Sequence, residues 1–222
     1  ATFRIYEWNE PTLSLGYFQP YADRQRHPPS LPCRVVRRTS GGGAILHHSE
    51  VTYSFSLPAH HQFARNSNEL YLRVHRALVS TLGDLLDETS SELLRIGTNS
   101  PAILREPFLC FQRRAESDVT FAVGLTSDWK RAGSAQRRRR GGVLQHGSVL
   151  LATSAFAPEL PGIEDLSGSL IPANAFVEAW CSQISSSLEL IFQRDSLTDS
   201  KRDLAKRIES ERFASPAWTN RR

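Results

Sequence analysis

The 222-residue chain is 40% hydrophobic, enough to bury a sizeable core, and a single domain over residues 1–222 is expected. Its charge of +4 arises from 27 Lys and Arg against 23 Asp and Glu, and the run Arg137, Arg138, Arg139 and Arg140 points to acidic partners rather than to a fold. No apolar run is long enough to span a bilayer, Ala1–Trp8 lacks the parts of a signal peptide, and Cys33, Cys110 and Cys181 are too scattered for a disulfide framework or a metal cluster. A cytoplasmic protein with no membrane association and no metal site is therefore expected.

The first half alternates short β-type runs with turn signals: Thr2–Trp8, Thr12–Leu15, Arg34–Arg37, Ala44–His47 and Val51–Leu57, read as one sheet. Between the second and third runs, the proline-rich stretch Gln19–Pro32 is expected to be an ordered loop with a helical turn. From Asn66 to Leu86, Tyr71, Val74, Leu78, Leu82 and Leu85 recur at helical spacing, and Asn66 with Glu69 three residues later forms a capping-box pattern.

Three further β runs follow, Asp118–Val123, Trp129–Gly133 and Val143–Leu151, with the arginine run expected in the connection between the last two and all three in the same sheet. Val177, Trp180, Ile184, Leu188 and Ile191 then mark a helix with Asn174 as its expected N-cap, placing Cys181 on the apolar stripe. A more polar helix is expected over Asp199–Arg212. The chain has no methionine, even at position 1, which is expected of a sequence lacking an N-terminal segment or its methionine positions.

Two segments have chemical interest. Arg37-Arg38-Thr39-Ser40-Gly41-Gly42-Gly43-Ala44 joins two β runs; glycines allow close backbone approach, so its N–H groups can face a phosphate or carbonyl oxygen while the arginines supply charge. A tight hairpin turn explains it equally well. Lys130-Arg131-Ala132-Gly133-Ser134-Ala135-Gln136 places a lysine beside small residues, where an amine can polarise an acyl carbonyl, although most lysines are solvated surface charges. The pairs His47-His48 and His60-His61 are poor metal ligands, because neighbours on a strand point to opposite faces.

Taken in order, these two blocks with His47 to Ser54 and Leu144-Gln145-His146-Gly147-Ser148, and the openings Arg4-Ile5-Tyr6-Glu7-Trp8 and Thr12 to Tyr17, resemble the lipoate-protein ligase and octanoyltransferase family over roughly residues 4 to 151. The resemblance implies an α+β fold: a mixed, largely antiparallel sheet with flanking helices, like biotin ligases and class II aminoacyl-tRNA synthetases. It implies that Arg37, Arg38, Gly41, Gly42, Gly43, Ala44 and His47 line the acyl site, that Lys130 contacts the acyl carbonyl amid Gly133, Ser134 and Ala135, and that His146 and Gly147 form a second wall. The family's opening helix is expected to precede Ala1.

Two chemistries compete within the family. Phe108-Leu109-Cys110-Phe111 resembles the nucleophile segment of the cysteine-dependent octanoyltransferases and lipoyl amidotransferases, and a thiolate near Arg113, Arg114 and Lys130 is a competent nucleophile. An inert packed cysteine is the alternative. In the transferase reading Cys110 and Lys130 are catalytic, no cofactor is used, the donor is an acyl carrier protein or lipoylated protein, and the acceptor is a lysine of a lipoyl domain or glycine-cleavage H-type protein. In the ligase reading ATP and Mg activate lipoate or octanoate and Cys110 is dispensable. An inactive homologue that binds lipoyl domains is a third class. Nucleic acid is disfavoured as a partner, since the arginine run has no stacking aromatics beside it.

Overall fold

The computed structural model describes residues 1–97, 106–123 and 127–221. Six strands, β1 (Thr2–Tyr6), β5 (Glu50–Leu57), β6 (Leu94–Ile96), β7 (Val119–Val123), β8 (Ser127–Arg139) and β9 (Gly142–Leu150), form an antiparallel sheet in the order β1-β5-β9-β8-β7-β6. The remaining strands, β2 (Thr12–Leu15), β3 (Arg34–Arg37) and β4 (Ile45–His47), make a separate three-stranded sheet, with β2 parallel to β3 and antiparallel to β4. The mixed, largely antiparallel α+β architecture is as expected, but the strands are divided between two sheets rather than gathered in one. Each run's alternation marks it as a strand and says nothing of its neighbour; β2 is buried along its whole length, between its two partners.

Alternate residues of β5 and β9 face opposite ways, so Val51, Tyr53, Phe55, Val143 and Val149 enter the main core. Two helices cover that face, α2 (Ser67–Leu85) and α5 (Ala173–Leu188), packed against each other as well as against the sheet. Trp180 is completely buried between them and the sheet, with edge contacts to Phe3 and Tyr53 and a stacked contact to Phe176. Such aromatic pairs add about 0.5–1.5 kcal/mol each beyond burial. Asn66 caps α2 as expected, its side chain accepting from the Glu69 N–H. Short helices α1 (Gln62–Arg65), α3 (Glu88–Glu92) and α4 (Ile163–Ser167) complete this layer.

Several expectations are corrected. The N-cap of α5 is Pro172, with Asn174 already inside the first turn, and Glu189 ends the helix in a left-handed conformation. Ile191, which continues the helical spacing, is thus outside the helix and exposed, and Cys181 is only half-buried. The arginine run belongs to β8, which extends through Arg139 and turns back at Arg140 and Gly141, both at positive φ, as a two-residue hairpin with matched strand twist requires. The polar helix α6 covers Asp199–Ile208, and a single π turn over Glu209–Phe213 takes the place of its expected end. A last short helix, α7 (Pro216–Thr219), returns to β3, where the Trp218 indole N–H donates to the Arg37 carbonyl. No described helix is long and apolar enough to cross a membrane.

Candidate active site

The glycine segment between β3 and β4 is held from within by Arg38. Its guanidinium donates to the carbonyls of Ser14 at 2.7 Å, Gly41 at 2.8 Å and Gly43 at 2.6 Å, and Gly42 adopts φ +90°, so the loop folds around the side chain. Burial, with Arg113 also nearby, pulls the Arg38 guanidinium down to about 10, against the opposing pull of Cys110; it remains charged at neutral pH.

The loop in turn holds the thiol. The Ala44 N–H donates to Phe108 O at 2.9 Å and the Cys110 N–H to Ala44 O at 2.7 Å, a short parallel bridge that sets Cys110 at the start of a 3-10 turn spanning Cys110–Gln112. Phe108, Leu109 and Phe111 anchor this turn in a second core with Leu13, Leu15 and Leu46. Arg113 is engaged by Glu106 at 2.7 Å and by Pro107 O, so its charge is already partnered beside the turn.

Lys130 arrives from the opposite side. Register between β7 and β8 shifts where Val119 pairs with Ala132 and Thr120 with Lys130, leaving Arg131 as an extra residue in a bulge, a device that re-aims side chains. The Lys130 amine lies 3.9 Å from the Cys110 sulfur and 2.9 Å from Asp118 Oδ2, almost wholly buried.

Thiol and amine share a cavity of about 270 Å³, whose wall also includes Arg38, Gly41, Gly42, Ile45, Phe111 and His146. Gly133, Ser134, Ala135 and Gly147 complete it. Arg38, Ile45 and His146 also line a neighbouring cavity of about 430 Å³, floored by Thr52, Ser54, Leu144 and Ser148 on the sheet face away from the helices. There Trp8 stacks on His47 at 4.2 Å between ring centroids, and His47 contacts Glu50 at 2.8 Å. Burial, reinforced by Arg38 and His47, pushes His146 down to about 4, so it is neutral near pH 7; its Nε2 lies 2.7 Å from Ser40 Oγ.

Ten of the residues expected from sequence therefore meet around the smaller cavity: Arg38, Gly41, Gly42, Cys110, Lys130, Gly133, Ser134, Ala135, His146 and Gly147. Arg37 and His47 line the larger one, although the Arg37 guanidinium is largely spent on the Gly16, Gln19 and Thr219 carbonyls. Gly43 and Ala44 line neither and instead support the cysteine turn. Sequence reasoning passed over Asp118, Phe111 and Ile45 as site residues; Asp118 gave no signal beyond opening the β run Asp118–Val123.

The antiparallel sheet with two covering helices and a looped glycine segment is the fold of lipoate-protein ligases. A structure from Thermoplasma acidophilum, described as a bi-partite lipoate protein ligase and its E2 lipoyl domain, superposes with a TM-score of 0.71 at 19% identity over 98% of this chain and 83% of that one. Residues 1–191 match the Lipoyl protein ligase A/B catalytic domain, and the chain belongs to that family and is an enzyme of it. Octanoyltransferase LipM of Brevibacillus brevis is 28% identical over 253 aligned residues, covering 100% of this chain and 87% of the relative. Octanoyltransferase LipM of Oceanobacillus iheyensis is 32% identical over 161 residues, 68% of this chain; that match spans only 52% of the relative's length.

Proposed function

We propose that the protein transfers an octanoyl group from the thioester of an acyl carrier protein to a lysine of a lipoyl domain or glycine-cleavage H-type protein, through an acyl-enzyme on Cys110. The observation that carries this reading is the convergence of the Cys110 thiol and the Lys130 amine, 3.9 Å apart, at the wall of one cavity. Such a pair sets a nucleophile beside a cation that can stabilise the charge developing on an attacked carbonyl.

The Cys110 thiolate attacks the donor's carbonyl carbon. Negative charge collects on the carbonyl oxygen, where the Lys130 ammonium stabilises it; the donor carbon–sulfur bond breaks and the donor leaves as a thiol after taking up a proton. The acyl-enzyme thioester is next attacked by the neutral amine of the acceptor lysine. An amide forms, the bond to Cys110 sulfur breaks, and the amine's proton is released to solvent or to the departing thiolate. The hydrocarbon chain runs past Ile45 and the neutral His146 from the smaller cavity into the larger one, whose apolar and aromatic walls include Leu144 and Trp8. A cavity of 270 Å³ falls just below the range of about 300–1,000 Å³ usual for drug-sized ligands, which suits the reacting end of a slim chain.

An ATP- and Mg-dependent ligation of lipoate or octanoate is the second reading, since the fold is shared with ligases. The test is transfer from octanoyl-carrier protein to a lipoyl domain without ATP. Wild type is expected to transfer and Cys110→Ala to lose the reaction; activity that needs ATP and survives Cys110→Ala overturns the proposal. In either chemistry Cys33 and Cys181, which line neither cavity, are expected to be dispensable.

A further inference from the structure

We propose that Asp118 is a positioning residue that aims the Lys130 amine over the thiol and keeps it in the ammonium form. The inference rests on the acyl-transfer reading of the site, to which it adds the group that makes the lysine usable.

A lysine in a buried site ordinarily sheds its proton, and a neutral amine can neither favour a thiolate nor stabilise an oxyanion. Lys130 is only 7% exposed. The groups that face it come from four elements. Cys110 and the Phe111 ring, with its centroid 5.8 Å from Nζ, come from the 3-10 turn. His75 and Tyr71 come from α2, and beyond the thiol stand Arg38 and Arg113. Asp118, just before β7, is in direct contact at 2.9 Å.

Most of these cannot supply a charge that retains the proton. His75 is pushed down to about 4 by burial and is neutral; its Nδ1 lies 2.6 Å from the Ser117 carbonyl, which can only accept, so the ring proton is on Nδ1. Tyr71 is pushed well above its usual range, by burial first and by Asp118 second, and stays protonated. Arg38 and Arg113 are cations and work against a second positive charge.

Asp118 itself is held in place by three contacts. It is 1% exposed, and it accepts from the Ala115 N–H at 2.7 Å on Oδ2 and from the Tyr71 hydroxyl at 3.2 Å on Oδ1, in addition to the Lys130 contact. Burial alone pulls the Lys130 amine down, yet Cys110 and Asp118 more than offset it and hold it above the ordinary lysine value. Sterics complete the arrangement. A Cβ at Gly133 would sit 2.3 Å from Lys130 Cε, 2.5 Å from Nζ and 3.0 Å from Asp118 Oδ1, so a side chain there would push the amine out of its present position.

The chain contains three lysines, Lys130, Lys201 and Lys206, and the last two lie exposed on α6. Labelling lysine with 13C at Cε therefore gives three NMR signals, two of which serve as references. The Lys130 signal is expected to titrate at lower pH in Asp118→Asn than in wild type. Turnover at neutral pH in that variant is expected to fall about tenfold or more, with its alkaline limit moved to lower pH and the KM for the octanoyl donor held within about twofold. Gly133→Ala leaves Asp118 in place but displaces the amine, and is expected to lower the Lys130 titration too; it carries the test if Asp118→Asn does not fold. A Lys130 signal that titrates alike in wild type and in the folded variants overturns the inference. Because the titration needs no turnover, that result is distinct from a failure of the transfer reaction itself.

Discussion

The Cys110 N–H donates to the Ala44 carbonyl at 2.7 Å, so the proposed nucleophile is hung on the last residue of the glycine loop. Loop and thiol form one mechanical unit although 66 positions separate the two residues in sequence (110 − 44). A change in the loop that never touches the substrate is therefore expected to displace the sulfur.

Gly43→Ala tests this coupling. A Cβ there would stand 2.8 Å from Arg113 Nε and 2.9 Å from Phe108 O, and the backbone oxygen cannot yield without moving the segment that leads into Cys110. A displacement approaching 1 Å costs about a hundredfold in a positioned reaction. Steady-state transfer should thus show kcat/KM lower by about that factor while the Tm changes little; unchanged turnover would separate the loop from the thiol.

Stability should depend on pH through His75 and His146. His75 and His146 have folded-state values near 4 against an ordinary 6.5, so between those limits the unfolded chain binds more protons than the folded one. Their contribution is complete above about pH 6.5 and is lost as the pH falls toward 4. Thermal unfolding should show a Tm lower by roughly 5 °C or more at pH 4.5 than at pH 7, and a shallower decline in His75→Gln. A flat profile in wild type would contradict the lowered values of these two rings.

The tip of the β8–β9 hairpin should govern docking. Arg137 and Arg138 are partly committed, to Thr39 O at 2.6 Å and Ser67 Oγ at 2.7 Å, whereas Arg139 and Arg140 are exposed. Arg139→Glu combined with Arg140→Glu is expected to raise the KM for an acidic protein donor about fivefold at low salt, with kcat unchanged and the difference shrinking as salt is added. Equal KM values at low salt would remove the hairpin from the docking surface.

The C-terminal turn is tied to the site through Arg37. Its Nε donates to Thr219 O at 2.9 Å and its carbonyl accepts from the Trp218 indole, which also lies between Arg212 and Arg221 at 4.1 and 4.7 Å. Trp218→Ala should release residues 209–221, seen as cleavage there by a low dose of protease, at a stability cost of about 3 kcal/mol. Resistance to cleavage equal to wild type would show that the segment is held by other contacts.

Much of this arrangement was legible in the sequence. β2, β3 and α2 follow directly from periodicity and capping, since local patterns of burial determine them. The convergence of Arg38, Cys110, Lys130 and His146 was legible only through family resemblance, because no spacing rule joins residues brought together by separate strands. Three features resisted reading for physical reasons. Division into two sheets depends on strand partners rather than strand patterns. The hairpin of consecutive arginines forms a strand because β9 pairs with it, against what charge alone implies. Asp118 gains its meaning from the bulge at Arg131, an irregularity that leaves no mark on hydrophobic alternation.

In the proposed reaction Cys110 carries the acyl group. Intact-protein and peptide mass spectrometry after brief mixing with octanoyl-carrier protein, with ATP absent and no acceptor present, measures this directly. A mass increase of one octanoyl group is expected, confined to the Cys110 peptide, discharged on addition of a lipoyl domain and absent in Cys110→Ala. Unmodified Cys110 in a preparation that acylates the lipoyl domain under the same conditions would contradict it.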